Sequence, residues 1–244
     1  MKFEPARFCD LGLRDTAIRG YDAATGGQVT IRAYGVADKV TLGDASFRNV
    51  VFLVFADSTH FFQGRPTGEN GIFGLPEILM LGNVRWDADG NFDFGFPSPG
   101  PAGSGPNLAL DGKQLTLQLE YEERRLTFGL DTGAQRTGLY ARFAEVFAER
   151  VEAEGARRRQ SGEGASGSVE YEAIFLPNVK LRAGGCEVKL DPAEISLRKN
   201  MDNRYCGNLG LDVLNQARVV TLDFDAMTLT LERRPLESET AQKR

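Results

Sequence analysis

The chain is expected to fold as a mainly β protein, two tandem lobes of β-structure with a few short helices. Two observations carry this. Its 244 residues include 28 glycines and 16 phenylalanines, and glycines set beside short β-branched and aromatic runs favour strands joined by tight turns. The two halves also resemble each other. Gly71-Ile72-Phe73-Gly74-Leu75-Pro76-Glu77-Ile78-Leu79 in the first matches Gly207-Asn208-Leu209-Gly210-Leu211-Asp212-Val213-Leu214 in the second, at an offset of 136 (207 − 71).

Each of these segments is followed by a short helical stretch and then a hairpin, Val84 to Phe94 in one half and Val219 to Leu231 in the other. The Asp89-Gly90 step marks the turn of the first hairpin. Upstream, each half has a Gly-rich bend and two alternating runs. These are Val29–Tyr34 with Lys39–Gly43, and Val169–Phe175 with Val179–Leu181. Period-two alternation predicts half-buried strands, and such a hairpin suits either a flap over a cleft or a plain surface ribbon. Ala-Arg-Phe occurs at Ala6 and at Ala141, an offset of 135 (141 − 6). The second copy opens a helix with Phe143, Val146 and Phe147 at helical spacing, running towards Arg157-Arg158-Arg159 as a solvated end. The first copy, Ala6 to Leu13, is its counterpart.

Pro97 to Asn107 is too rich in Pro and Gly to continue a strand or helix and reads as a linker. The expected organisation is therefore an N-terminal lobe at 1–96, a linker at 97–107, a C-terminal lobe at 108–234 and a flexible tail at 235–244.

A net charge of −5 argues against nucleic acid as a partner, because phosphate binding needs a basic surface. No apolar run is long enough to span a membrane. Met1-Lys2-Phe3-Glu4-Pro5 lacks the apolar core of a signal peptide. Cys9, Cys186 and Cys206 show no metal-ligand spacing. Cys186 and Cys206 lie in one lobe, either as a pair or as free buried thiols. Asp87 to Asp93 resembles a calcium loop only superficially: its glycine is misplaced and Ser98 stands where the last carboxylate should be, so a hairpin turn is expected. His60, the one histidine, has no Ser or Cys motif beside it and reads as a loop or packing residue. Gly64–Asn70 reads as a connection, Phe61, Phe62 and Phe73 as core, and Asp212 as a helix cap.

One string is chemically pointed. Leu126-Thr127-Phe128-Gly129-Leu130 is an apolar strand that runs into Asp131-Thr132-Gly133-Ala134. Two facing carboxyls cannot both ionise at about 3 Å, so they share one proton. The ionised member can take a proton from water while the other donates to a carbonyl. Asp131 would be one member. Thr132 would brace the loop, and Gly133 and Ala134 would allow a close approach. Strand, Asp-Thr-Gly-Ala, helix, hairpin and Leu209-Gly210, in that order, resemble the retropepsin-like aspartic proteases of the pepsin and retropepsin superfamily. The second half resembles one whole lobe, and the first a lobe without its first strands and catalytic loop. The resemblance implies acid-protease β-barrel lobes, an aspartic endopeptidase (a hydrolase) with Asp131 as one of two catalytic aspartates, a peptide or protein substrate, and no metal or cofactor.

The second aspartate is the open point. Shifting Asp131 back by 135 or 136 residues lands at −4 or −5, just before Met1. Asp15-Thr16 is no substitute, since Ala17-Ile18 follows it. The first expectation is that the counterpart is encoded upstream of Met1, where a signal peptide for an exported or periplasmic protein would also lie. The second is a homodimer in which Asp131 faces its own copy. The third is a non-catalytic peptide-binding pseudoprotease.

Overall fold

The structure, a computed structural model, describes residues 12–24, 27–55, 59, 72–100, 105–112, 114–164, 166–198 and 204–233. It is mainly β, with short helices, as expected. Two compact units are present: Met1–Phe73 with Gln160–Tyr171, and Gly74–Arg159 with Glu172–Arg244. Cys9, His60, Phe61, Phe62, Gly64–Asn70, the tail after Arg233 and all of Ala6–Leu13 but its last two residues lie outside the described residues.

In the first unit, β1 (Arg14–Asp15), β2 (Gly20–Ala24), β3 (Gly27–Leu42) and β4 (Ala45–Phe55) form an antiparallel sheet around β3. The runs Val29–Tyr34 and Lys39–Gly43 are therefore one strand rather than two. Gly35, Val36 and Ala37 keep the alternation going, with Gly35 and Ala37 buried on the face that also buries Ile31 and Ala33. The reversal comes at Gly43, at φ +53°, where glycine meets the left-handed backbone without strain. The hydrophobic centre is small: Leu13, Ala33, Ala37 and Val54, with Val40 and Phe52 against it. The Phe73 ring meets Phe47 at 6.3 Å, although Phe73 stays exposed.

The second unit begins with α1 (Leu75–Met80), opened by Pro76 in its first turn. The hairpin β5 (Val84–Asp87) and β6 (Phe92–Phe94) follows. Asp87 closes its turn by accepting from the backbone of Asp89 and Asn91 and from the Asn91 side chain. These bonds, led by the one from the Asn91 side chain, hold its carboxyl below the usual carboxylate range. This is the hairpin turn expected there.

β7 (Leu108–Asp111), β8 (Gln114–Tyr121), β9 (Arg124–Leu130) and β10 (Gly138–Tyr140) lead into α2 (Ala141–Val146) and α3 (Ala148–Glu154). Phe143 is fully buried. It packs with Phe147 and Tyr121, ring centroids 4.7–5.3 Å apart. The helix does not reach Arg157–Arg159. It ends at Gly155, where the backbone turns extended at φ −76° and ψ 128°, and the position needs glycine because a Cβ there would lie 2.3 Å from the Val151 carbonyl oxygen and 2.6 Å from Ile174. Arg157–Arg159 instead enter β11 (Ala156–Gly164), which pairs with β12 (Gly167–Leu176). Gly164 and Gly167 thus flank a hairpin turn. Val179–Leu181 does not pair with β12. It begins β13 (Val179–Ala183), which pairs with β14 (Cys186–Leu190) and β8.

β15 (Ala193–Ser196), β16 (Gly207–Leu209) and α4 (Leu211–Leu214) precede a last hairpin, β17 (Ala217–Asp223) and β18 (Thr228–Arg233). One curled sheet runs β11-β12-β15-β10-β16-β9-β8-β13-β14, with β7 also on β8. Its core includes Leu117, Leu119, Phe128, Leu139, Leu181 and Ile195, each at most 1 % exposed. Cys186 and Cys206 are buried and free. The Cys186 thiol donates to the Leu231 carbonyl.

A second sheet runs β18-β17-β5-β6, so the two hairpins that correspond in sequence lie side by side. Val84–Asp87 pairs antiparallel with Val219–Leu222. Adding 135 to 84–87 gives 219–222, so the strand pairs with its own repeat. The described parts of 97–107 are tied to this hairpin. The Ser98 hydroxyl donates to the buried Asp223 carboxylate, and Asn107 exchanges two bonds with the Leu229 backbone, at 2.9 and 2.7 Å.

Candidate active site

The site grows from three neighbouring strands. β16 lies between β9, parallel to it, and β10, antiparallel to it. Where β9 ends, the chain leaves the sheet as Asp131 to Ala134. A glycine lets β16 fit at each end. A Cβ on Gly207 would lie 2.6 Å from both the Gly138 carbonyl oxygen and the Phe128 ring. One on Gly210 would lie 2.7–2.8 Å from backbone atoms of Arg136 and Ala134.

The loop itself is closed by its first side chain. Asp131 Oδ1 accepts the Gly133 N–H at 2.8 Å, an aspartate turn, and the Asp131 carbonyl accepts the Ala134 N–H at 3.2 Å. The end of β16 and the start of α4 bracket it. The Asp131 N–H donates to the Leu209 carbonyl at 3.0 Å, and the Leu211 N–H donates to the Ala134 carbonyl at 2.9 Å. Asp131, Thr132 and Gly133 are exposed and Ala134 is half-buried. Gly133 matters because a Cβ there would come 3.1 Å from Asp131 Oδ1, the oxygen its own N–H serves. The Thr132 hydroxyl makes no hydrogen bond among the described residues.

Beneath the loop is a buried support that the sequence did not announce. Asp212 is not the cap of α4, since Gly210 holds that position. Its Oδ1 accepts the Thr137 N–H at 2.8 Å, the Thr137 hydroxyl at 2.6 Å and the Val213 N–H at 2.9 Å. The Thr137 oxygen in turn accepts the Gly210 N–H at 2.9 Å. A buried hydroxyl that both donates and accepts has its capacity well used, and here it ties the end of the loop to the turn after β16. Thr137 itself gives no signal beyond being a hydroxyl residue before a glycine.

A second unannounced contact reaches the carboxylate. Asn208, on β16, places its amide nitrogen 3.2 Å from Asp131 Oδ2. Its amide oxygen lies 3.5 Å from the Gln114 amide nitrogen, a long bond. The only trace of this in the sequence is a polar residue inside the otherwise apolar Gly207-Asn208-Leu209-Gly210.

The other aspartate of an Asp-Thr pair is occupied elsewhere. Both Asp15 oxygens are held by Arg19, at 3.0 and 2.8 Å, and Oδ1 also takes the Ala17 N–H. The Arg19 guanidinium, followed by that backbone bond, keeps the Asp15 carboxyl below its ordinary range. Among the described residues no group of three or more His, Cys, Asp or Glu is arranged to hold a metal ion, and no helix is long and apolar enough to cross a membrane.

No family model matches the chain, and no curated protein matches it. Solved structures do. The retroviral protease-like domain of Ddi1 from Leishmania major matches 48 % of this chain and 86 % of its own, at 16 % identity and a TM-score of 0.32. A retropepsin-like aspartic protease from Rickettsia conorii matches 49 % of this chain and 82 % of its own, at 13 % identity and a TM-score of 0.33. EIAV protease, complexed with the inhibitor HBY-793, matches 42 % of this chain and 86 % of its own, at 21 % identity and a TM-score of 0.30.

Proposed function

We propose that the chain is an aspartic endopeptidase, or the larger part of one, with Asp131 as one of its two catalytic carboxyls. The observation that carries this is the loop after β9: an exposed Asp131 whose two oxygens take N–H donors, in a loop held on one side by Leu209 of β16 and on the other by Leu211 of α4, with a glycine and an alanine at its end. A chance Asp-Thr-Gly turn has no need of the backbone bonds from Leu209 and Leu211 that bracket this one.

In the proposed reaction Asp131 and a second carboxyl share one proton, and their titration belongs to the pair. Asp131 takes a proton from water as the water oxygen bonds to the peptide carbonyl carbon. The second carboxyl gives its proton to the carbonyl oxygen. Collapse of the tetrahedral adduct then breaks the C–N bond: one adduct hydroxyl returns its proton to the second carboxylate as the carbonyl re-forms, and the amine leaves with the proton from Asp131. The second carboxyl belongs to another loop of the same kind, in a lobe of this protein or in a second copy. Asp15, closed onto Arg19, does not serve. The duplicated hairpins that pair with each other support the reading of two lobes joined through 97–107.

The test is hydrolysis of a peptide library at pH 4–6 by the unaltered protein and by Asp131→Asn. Loss of about 10²-fold or more is expected for the variant, the scale of a missing general base. Cleavage that survives the substitution unchanged overturns the proposal. Peptide binding without cleavage in the unaltered protein selects the pseudoprotease.

A further inference from the structure

Asn208 has no part in the Asp-Thr-Gly motif, yet it makes a side-chain contact with the outer oxygen of Asp131. It stands opposite Gly129 in the β9–β16 pairing, one residue before Leu209, whose carbonyl anchors the Asp131 backbone. Side chain and main chain of neighbouring residues on β16 thus hold the same aspartate.

The orientation of the amide follows from hydrogen-bond logic. An ionised carboxylate only accepts, so Asn208 must turn its N–H towards Asp131. Its oxygen then faces the other way and needs a donor, which the Gln114 amide supplies from β8. The line Gln114 to Asn208 to Asp131 therefore has a single consistent direction. Gly129 makes room for it. A Cβ there would lie 1.9 Å from Gln114 Nε2 and 2.6 Å from Asn208 Oδ1, so any larger residue on β9 would push both amides away. Two strands thus contribute one amide each, across the space left by Gly129 on the third, to a polar relay that ends on the carboxylate.

We infer that Asn208 is a positioning residue for Asp131, oriented by Gln114 across Gly129. With Gly133 on Oδ1 and Asn208 on Oδ2, the carboxylate plane cannot rotate without losing a donor. In the proposed reaction this fixed carboxylate is the group that takes the proton from water. This last clause rests on the protease reading above, while the positioning of the carboxylate does not.

The experiment follows the Asn208 side-chain amide resonances in ¹⁵N-labelled protein from pH 3 to 7. They are expected to move with pH in the unaltered chain, to stay flat in Asp131→Asn, and to move less in Gln114→Ala. A pH-silent Asn208, or the same movement in Asp131→Asn, overturns the positioning even if peptide cleavage depends on Asp131. In kinetics, Asn208→Leu is expected to lower kcat by about tenfold or more with little change in KM, as befits an interaction used in the transition state. An equal rise in KM with kcat unchanged overturns it. A pH-responsive Asn208 in a protein that cleaves nothing supports the positioning and overturns the base assignment together with the protease reading.

Discussion

A methyl group at Gly210 would meet the Arg136 carbonyl carbon and the Ala134 carbonyl oxygen, both main-chain atoms with nowhere to swing. Gly210→Ala is therefore expected to cost about 1–3 kcal/mol, the scale of overpacking in a filled interior. It should appear as a lower urea midpoint with an unchanged slope. Gly133 differs, because its nearest neighbour is the side chain it helps to hold. Cys206 offers a test by pH. Burial pushes its thiol up, with the charges of Arg142 and Glu145 acting in opposite senses. The folded chain thus keeps that proton to higher pH than the unfolded chain. The resulting stability is complete below the unfolded thiol value of about 8.5, and it is lost as pH rises through the folded value. The fall in urea stability between pH 7 and pH 10 is expected to be smaller in Cys206→Ala than in the unaltered protein. Equal falls would contradict it.

Among the elements, the hairpins at 84–94 and 217–233 carry a direct prediction. Trp86, the one tryptophan, lies half-buried on β5 and pairs with Val220 on β17. Val220 is 2 % exposed, so Val220→Asp is expected to destabilise by at least about 3 kcal/mol and to shift Trp86 fluorescence to the red. Both hairpins were legible in the sequence, because an Asp-Gly turn and alternating strands are local signals. The strand before Asp131 and the glycine segment at 207–210 were legible for the same reason. What failed was pairing at a distance. Nothing local distinguishes Lys39–Leu42 as the continuation of β3 from Lys39–Leu42 as its partner, and only the turn at Gly43 decides it. Arg157–Arg159 suits a helix end as well as an edge strand, until the backbone turns extended at Gly155. Thr137 and Asn208 could not be read as site residues at all. Their roles depend on β16 lying between β9 and β10, with contacts that span 75 and 77 residues of chain.

For the molecule as a whole, the compact units divide after Phe73, and β5 and β6 belong to the sheet completed by β17 and β18. A fragment beginning at Gly74 keeps that sheet, while one beginning at Leu108 leaves the β17 edge and its buried Val220 uncovered. The shorter fragment is expected to melt at lower temperature by circular dichroism, or to precipitate, at concentrations where the longer one stays soluble. Equal melting would show that β17 needs no cover from β5.

The ladder between Val84–Asp87 and Val219–Leu222 has one more consequence. A hairpin that docks on the counterpart of itself meets the same complementary edge on every other copy of the chain. If the hairpin at 84–94 lifts from its own β17, together with the flanking Asn83 and Ser98 that bond to 223–225, the same ladder can form on the β17 of a neighbour, and the neighbour can return the exchange. Concentration, rather than a new surface, then decides between a closed monomer and an intertwined pair.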